Sequence, residues 1–364
     1  MRRTIALLGG LLLAVGMAWP TIARTSRFIT SDVVTLAASV SRSMVPAGAA
    51  EAAVLIVADD ELGYAAPSLL ASLPLNVPLL ITEAGQLPGR VLEELHRATG
   101  RDESATVYLV GQAVFAQAEL EAAGYTVIAF DGVGPTAVAA FSAGELFGAP
   151  AGTSQRVIVV PAGNEVVAGL ANALGIWLAI PVIPVDASGF TTDAFVREVW
   201  AVGDFGGSPP AVTTAGPGTV RSFQAADVFA LALELANLAA AEPGDSAPPT
   251  MVSTAPIVAS VSGDTTPALI AATVAARRSL DGDLAPLLLV DGAFDKDHAA
   301  RCDGKTPDAA SYCALAAADG EVTFVGLSTF AGQPGDDPLP ATGGGVALAG
   351  AVLAAAALLR RRRA

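Results

Sequence analysis

Histidine, lysine and cysteine are almost missing from this chain. Its 364 residues include two of each, with lysine confined to Lys296 and Lys305. Each scarcity closes a route. With only His96 and His298 available, a histidine general base or a His-rich metal centre has little material. Gly-x-Ser-x-Gly, His-Glu-x-x-His and P-loop patterns are absent, so the familiar signatures of acyl transfer, zinc hydrolysis and nucleotide hydrolysis are missing. Basic residues are outnumbered, 20 Lys and Arg against 35 Asp and Glu. Six of those arginines, Arg2, Arg3 and Arg360 to Arg363, lie in terminal stretches without acids. Residues 24–343 therefore hold 14 basic groups against 35 acidic ones, a charge of −21. Such a body lacks the clustered cations that neutralise phosphates, which argues against nucleic acid as a partner. The shortage of lysine beside 18 arginines and 37 glycines points to a high-GC, actinobacterial genome.

What is present begins at the ends. Arg2 and Arg3 precede an apolar stretch over residues 5–18, Pro20 ends it, and Thr21-Ile22-Ala23 supplies small residues at a cleavage position. Residues 1–23 are thus expected to be a removed secretory signal. Residues 339–364 combine Leu339-Pro340-Ala341-Thr342-Gly343, an apolar run over residues 346–359, and four arginines. The order resembles the LPxTG cell-wall sorting signal of Gram-positive surface proteins. That resemblance implies recognition by a sortase through Leu339, Pro340, Thr342 and Gly343. It also implies cleavage after Thr342 and covalent transfer of Thr342 to peptidoglycan. With Gly343 to Gly345 included, the apolar segment reaches about 25 Å as a helix, short of a hydrocarbon core of about 30 Å. It suits transient insertion in a membrane better than a permanent anchor.

Cys302 and Cys313, the only cysteines, are close together in a chain read as secreted, and a disulfide closing a short polar loop is the economical expectation. Such a bridge contributes about 2–3 kcal/mol by restricting the unfolded chain. A lone nearby His298 does not make the pair a zinc pattern. The core must carry the fold, and 52% hydrophobic residues suffice for that.

The interior repeats itself three times. An apolar strand, an Ala/Leu-rich helix and a proline-led apolar strand recur around Pro78, Pro181 and Pro286, about one hundred residues apart. The first strands are Val54-Leu55-Ile56-Val57, Val157-Ile158-Val159-Val160 and Ile257-Val258-Ala259-Ser260; the helices are expected near residues 65–73, 166–178 and 267–279. A third strand ending in glycine follows in each: Val107 to Gly111, Val199 to Gly203 and Val322 to Gly326. Continuous apolar runs alternating with helices predict α/β units with parallel strands buried on both faces and right-handed crossovers. Linking helices are expected near residues 31–42, 135–147 and 223–241, with Ser31-Asp32 and Ser222 as N-caps for the first and third. The division is 24–150, 151–241 and 251–330 for the units, with linkers at 242–250 and 331–338.

These strands and turns resemble the cell wall-binding repeat 2 family. Ser262-Gly263-Asp264 through Val290, with Val322 to Gly326, matches best. The resemblance implies three Rossmann-like, doubly wound modules around a pseudo-threefold axis, a non-enzymatic role, and contact with anionic wall polymers. The chain departs from the family at its helix-start Asp, which falls on Tyr64, Ala168 and Pro267. The family's Arg-Tyr-x-Thr-Ala segment is echoed only in Arg27-Phe28-Ile29-Thr30 and Arg221-Ser222-Phe223-Gln224-Ala225.

Acids gather at expected strand ends: Asp59, Asp60, Asp186, Asp264 and Asp291. Ligands of open α/β sheets bind outside the carboxyl ends of strands, so these residues are candidate cleft groups, and Ca2+ bridging them to an anionic polymer is one electrostatic solution. The competing reading is that they cap turns. His96 is expected on a solvated helix face, and Trp177 and Trp200 in the core. Two other functions stay open: a secreted hydrolase of wall material using the strand-end carboxylates, and a binding module for a small solute or a host surface.

Overall fold

A computed structural model describes residues 24–58, 60, 62–72, 77–100, 105–147, 156–178, 180, 182–185, 190–191, 197–206, 212–213, 219–241, 257–261, 266–280, 285–290 and 321–327. The signal segment, the sorting signal, both cysteines, His298 and the linkers fall outside these residues. Among the described residues no helix is long and apolar enough to cross a membrane.

The chain starts with strand β1 (Arg24–Thr30) and helix α1 (Val33–Met44). Asp32 caps that helix, its carboxylate accepting the Thr35 N–H at 2.8 Å, in line with the expected Ser31-Asp32 cap. The first unit then runs β2 (Ala52–Val57), a short turn of helix, α2 (Ala66–Ser72), β3 (Leu79–Thr82), α3 (Gly89–Thr99), β4 (Thr106–Val110), α4 (Gln117–Ala122) and β5 (Thr126–Phe130). Its sheet is entirely parallel, in the order β3-β2-β4-β5. Every residue of β2 is buried, because helices cover both faces of a central parallel strand.

Helix α5 (Pro135–Phe147) leads into the second unit, which has β6 (Arg156–Pro161), α6 (Glu165–Leu178), β7 (Val182–Val185), β8 (Phe190–Thr191), β9 (Glu198–Val202), β10 (Val212–Thr213) and β11 (Thr219–Phe223). The order β7-β6-β9-β11 repeats that of the first sheet, and β8 with β10 forms a separate two-residue ladder. The two faces of this sheet feed different cores. Ile158, Val160, Trp200 and Val202 join the main cluster, while Val157, Val159, Val199 and Ala201 form a smaller one. This split is the period-two alternation of a strand buried on both sides.

Helix α7 (Val228–Ala241) follows, then β12 (Ile257–Ser260), α8 (Thr266–Leu280), β13 (Leu287–Val290) and β14 (Glu321–Leu327). The Asp227 carboxylate accepts the Ala230 N–H at 2.8 Å and caps α7. Ser222, the expected cap, lies instead in β11 opposite Ala201; the sheet ladder outcompetes a helix start there. The third sheet has the order β13-β12-β14-β1. Its fourth strand is therefore the N-terminal one, so residues 24–30, grouped by sequence with the first unit, complete the last.

The units form a closed cycle. Helices α2, α6 and α8, which follow the first strand of each unit, touch one another pairwise. Each linking helix bridges two units: α5 packs on α2 and β7, α7 on α6 and β13, and α1 on α8 and β3. This is an α/β fold of three parallel-sheet units sharing one apolar core. Small residues at the centre allow the close approach, with Gly169 of α6 facing the Ala268 carbonyl of α8.

One polar knot fastens the first linking helix. Glu94 of α3 is wholly buried; it accepts from Arg97 at 2.6 Å and from the Ser41 hydroxyl at 2.6 Å. Arg97 also donates to the Val45 carbonyl at 2.9 Å, just past the end of α1. A buried carboxylate persists only with partners of this kind.

Candidate functional site at the strand ends

In a sheet of order β3-β2-β4-β5 the chain reverses direction between β2 and β4, and the crevice beyond their carboxyl ends is where ligands of such folds bind. Asp60 stands there, buried to 5% exposure. Its carboxylate accepts the Gln112 N–H at 2.5 Å and the Leu62 N–H at 3.2 Å. Gly111 makes this possible. Its φ is +63°, and a Cβ at that position would overlap the Asp60 carboxylate. Asp60 is thus spent on two backbone donors, the Gln112 N–H at the start of the helical turn after β4 and the Leu62 N–H in its own loop after β2.

In the second unit, at the end of β9, apolar atoms take the place beside the equivalent glycine. Gly203 turns the chain at φ +100°, and a Cβ there would meet Val167 Cγ1 at 2.9 Å and Pro161 at 3.2 Å. Asn164 caps α6 in the same loop, accepting the Val167 N–H at 3.1 Å. Asp59, Asp186, Asp264 and Asp291 lie outside the described residues, as do Cys302, Cys313, Leu339, Pro340, Thr342 and Gly343. Among the described residues no group of three His, Cys, Asp or Glu is placed to hold a metal ion.

Register brings together a threefold constellation that no local sequence pattern marks. Val110 pairs with Phe130, Val202 with Phe223, and Val325 with Phe28, so a phenylalanine holds the same place in the fourth strand of every unit. Two residues before each of the glycines Gly111, Gly203 and Gly326 lie Leu109, Ala201 and Phe324; three before lie Tyr108, Trp200 and Thr323. Tyr108 stacks on Phe130 at 6.4 Å between centroids, and Phe130 meets Phe141 edge-on at 5.3 Å. Trp200, fully buried as expected, tilts against Phe223 at 5.4 Å. The signal was available in principle, since each phenylalanine lies at a fixed place in a short strand. It was hidden because the fourth strand of the third unit stands at the start of the chain.

The second unit adds charge to its aromatic pair. The Arg221 guanidinium lies 5.1 Å from the Trp200 ring centroid and 5.3 Å from that of Phe223, with Arg156 5.9 Å from Trp200 on the other side. Glu198 pairs with Arg221 at 3.4 Å. Cation–π contacts of this geometry contribute about 0.5–1 kcal/mol at partly exposed sites. They fasten the edge strand β11 to β9. His96 departs from its expected solvated position: it is half-buried and stacks on Tyr125 at 5.9 Å, because the stretch before β5 covers that side of α3.

No protein-family model matches the chain, and no curated protein sequence does. Solved structures do. Cwp8 from Clostridium difficile superimposes with a TM-score of 0.59 at 19% identity, over 83% of this chain and 49% of that one. Cwp6 from Clostridium difficile gives 0.55 at 14% identity, over 84% of this chain and 46% of that one. The chain spans about half the length of each. At these identities the likeness is one of fold, and the ring of three parallel-sheet units is an architecture shared with two clostridial cell wall proteins.

Proposed function

We propose that this is a secreted, sortase-anchored surface protein of a Gram-positive, actinobacterial cell wall, with a non-enzymatic body of three wall-binding-like units. The observation that carries the reading is the cyclic three-unit fold, common to two cell wall proteins, followed in sequence by Leu339-Pro340-Ala341-Thr342-Gly343. On this reading the partners are a sortase and peptidoglycan, joined covalently through Thr342. Cys302 and Cys313 form the disulfide expected of an exported chain.

Contact with an anionic wall polymer is the second part of the proposal, and the acidity of the body sets its terms. A charge of −21 repels a polyanion unless local arginines or a bridging Ca2+ intervene. The engagement of Asp60 with backbone donors speaks against the hydrolase alternative at that position, because a carboxylate held by two N–H groups is poorly placed to shuttle a proton.

Two experiments separate the parts. Muramidase digestion of intact walls should release the protein bearing peptidoglycan fragments, and Leu339→Ala should move it from the wall to the membrane or medium. An unchanged wall fraction for the variant overturns anchoring. Residues 24–338 should bind purified walls carrying secondary polymers better than walls stripped of them; equal binding, or none, overturns the polymer reading.

A further inference from the structure

The third unit departs from the other two at the end of its third strand. β4 and β5 share five register pairs, ending at Val110 opposite Phe130. β9 and β11 also share five, ending at Val202 opposite Phe223. In both cases the next residue is a glycine of positive φ, Gly111 at +63° and Gly203 at +100°, which turns the chain off the sheet. β14 passes the equivalent Val325–Phe28 pair and continues for two more, Gly326 opposite Ile29 and Leu327 opposite Thr30, making seven. Gly326 belongs to the strand. β14 is also internal to its sheet, with parallel partners on both sides: β1 along its whole length and β12 at Thr323, Phe324 and Val325.

We propose that β14 is a shear clamp, built to take tension arriving through the C-terminal tether. The proposal rests on the reading that the chain is anchored at Thr342. β14 ends at Leu327, on the side from which a C-terminal tether would pull, and the N-terminal end of β1 lies at the opposite end of the same ladder, about 20 Å away for seven residues at ~3.3 Å each. Tension along that axis loads all the β1–β14 bonds together with those to β12. Parallel bonds are evenly spaced and must then be broken in concert. In the first two units a pull at the same point would meet a turned chain and peel pairs singly. Forced unfolding follows the barrier to rupture and not equilibrium stability, so geometry decides the outcome. The two additional pairs lengthen the ladder on the tether side, where tension enters first.

Single-molecule force spectroscopy on residues 24–338, which include every described residue, tests this with no change to the ladder sequence. One handle follows Pro338. The other is attached in turn at Arg24, which shears β1 against β14, and at the exposed Ser31, which peels the same ladder from its Thr30–Leu327 end. The rupture force is expected to be at least twofold higher from Arg24 than from Ser31. Equal forces overturn the proposal. So does a first rupture from Arg24 whose length gain leaves residues 24–30 bound to 321–327. The force ratio does not depend on sortase, so failed wall attachment in the digestion experiment is read separately.

Discussion

Phe28 and Val325 face each other as register partners although 297 positions separate them. The first and last described strands of the body are neighbours in one sheet and stabilise each other. Phe28→Ala removes the aromatic side chain at the shared fourth-strand position. For a half-buried phenylalanine the expected loss is about 1–2 kcal/mol, less than the ~3–5 of a fully buried one. Hydrogen exchange should show lost protection in β14 before β4 is affected; uniform loss across both strands would contradict local closure by β1.

Glu94→Ala leaves Arg97 without its carboxylate and the Ser41 hydroxyl without its acceptor. Breaking a wholly buried pair costs about 3–5 kcal/mol, but Arg97 is 23% exposed and can regain water, so about 2–3 kcal/mol is expected. Urea denaturation measures it. A loss below about 0.5 kcal/mol would mean that the knot does not hold α1 to α3.

Gly111→Ala adds a Cβ where the Asp60 carboxylate lies, in a backbone region that disfavours side chains. Gly85→Ala is the matched control, with φ +72° and nothing within 4 Å of the added atom. The control should cost about 1 kcal/mol from backbone strain alone. Gly111→Ala should exceed it by at least another ~1 kcal/mol, since the displaced carboxylate abandons the Gln112 and Leu62 N–H groups. Equal thermal shifts for the two variants would show that Asp60 is not a structural plug.

Gly175→Ala pits helix propensity against packing. Alanine improves an exposed helix interior by about 1 kcal/mol over glycine. Here the new Cβ would approach the Ile180 carbonyl at 2.6 Å and Val182 Cγ2 at 2.7 Å, where the chain folds back from α6 to β7. Overpacking of this kind costs about 1–3 kcal/mol, so a net loss in melting temperature is expected. A gain would contradict the tight return.

How much of this was readable beforehand varies with the range of the interaction. Val54 to Val57 and Ile158 to Val160 announced buried parallel strands because burial on both faces demands unbroken apolar runs, and β2 and β6 lie there. Helices α5 and α6 fell within a residue of expectation, Pro135 and Leu178 marking a start and an end. The fourth strands were not foreseen. β11 is mostly exposed and carries Arg221 and Ser222, so its periodicity is weak, and only its pairing with β9 defines it. β1 was harder still, because its partner comes from the far end of the chain and no local pattern encodes that pairing. At the candidate site, an acid at a strand end looked the same whether it met a ligand or its own backbone. Gly111 permits the second outcome for Asp60, and that depends on a dihedral angle and not on composition.

Open repeat arrays grow and shrink one unit at a time, since each copy needs only a neighbour. A body whose first strand belongs to its last sheet has no such freedom. A duplicated fourth unit would need β1 to reach a new third strand in place of β14, and a deleted one would take away a partner on which a linking helix packs. A change of copy number therefore has to be accompanied by a new closing contact for β1, and a simple duplication within this body should cost the β1–β14 pairing.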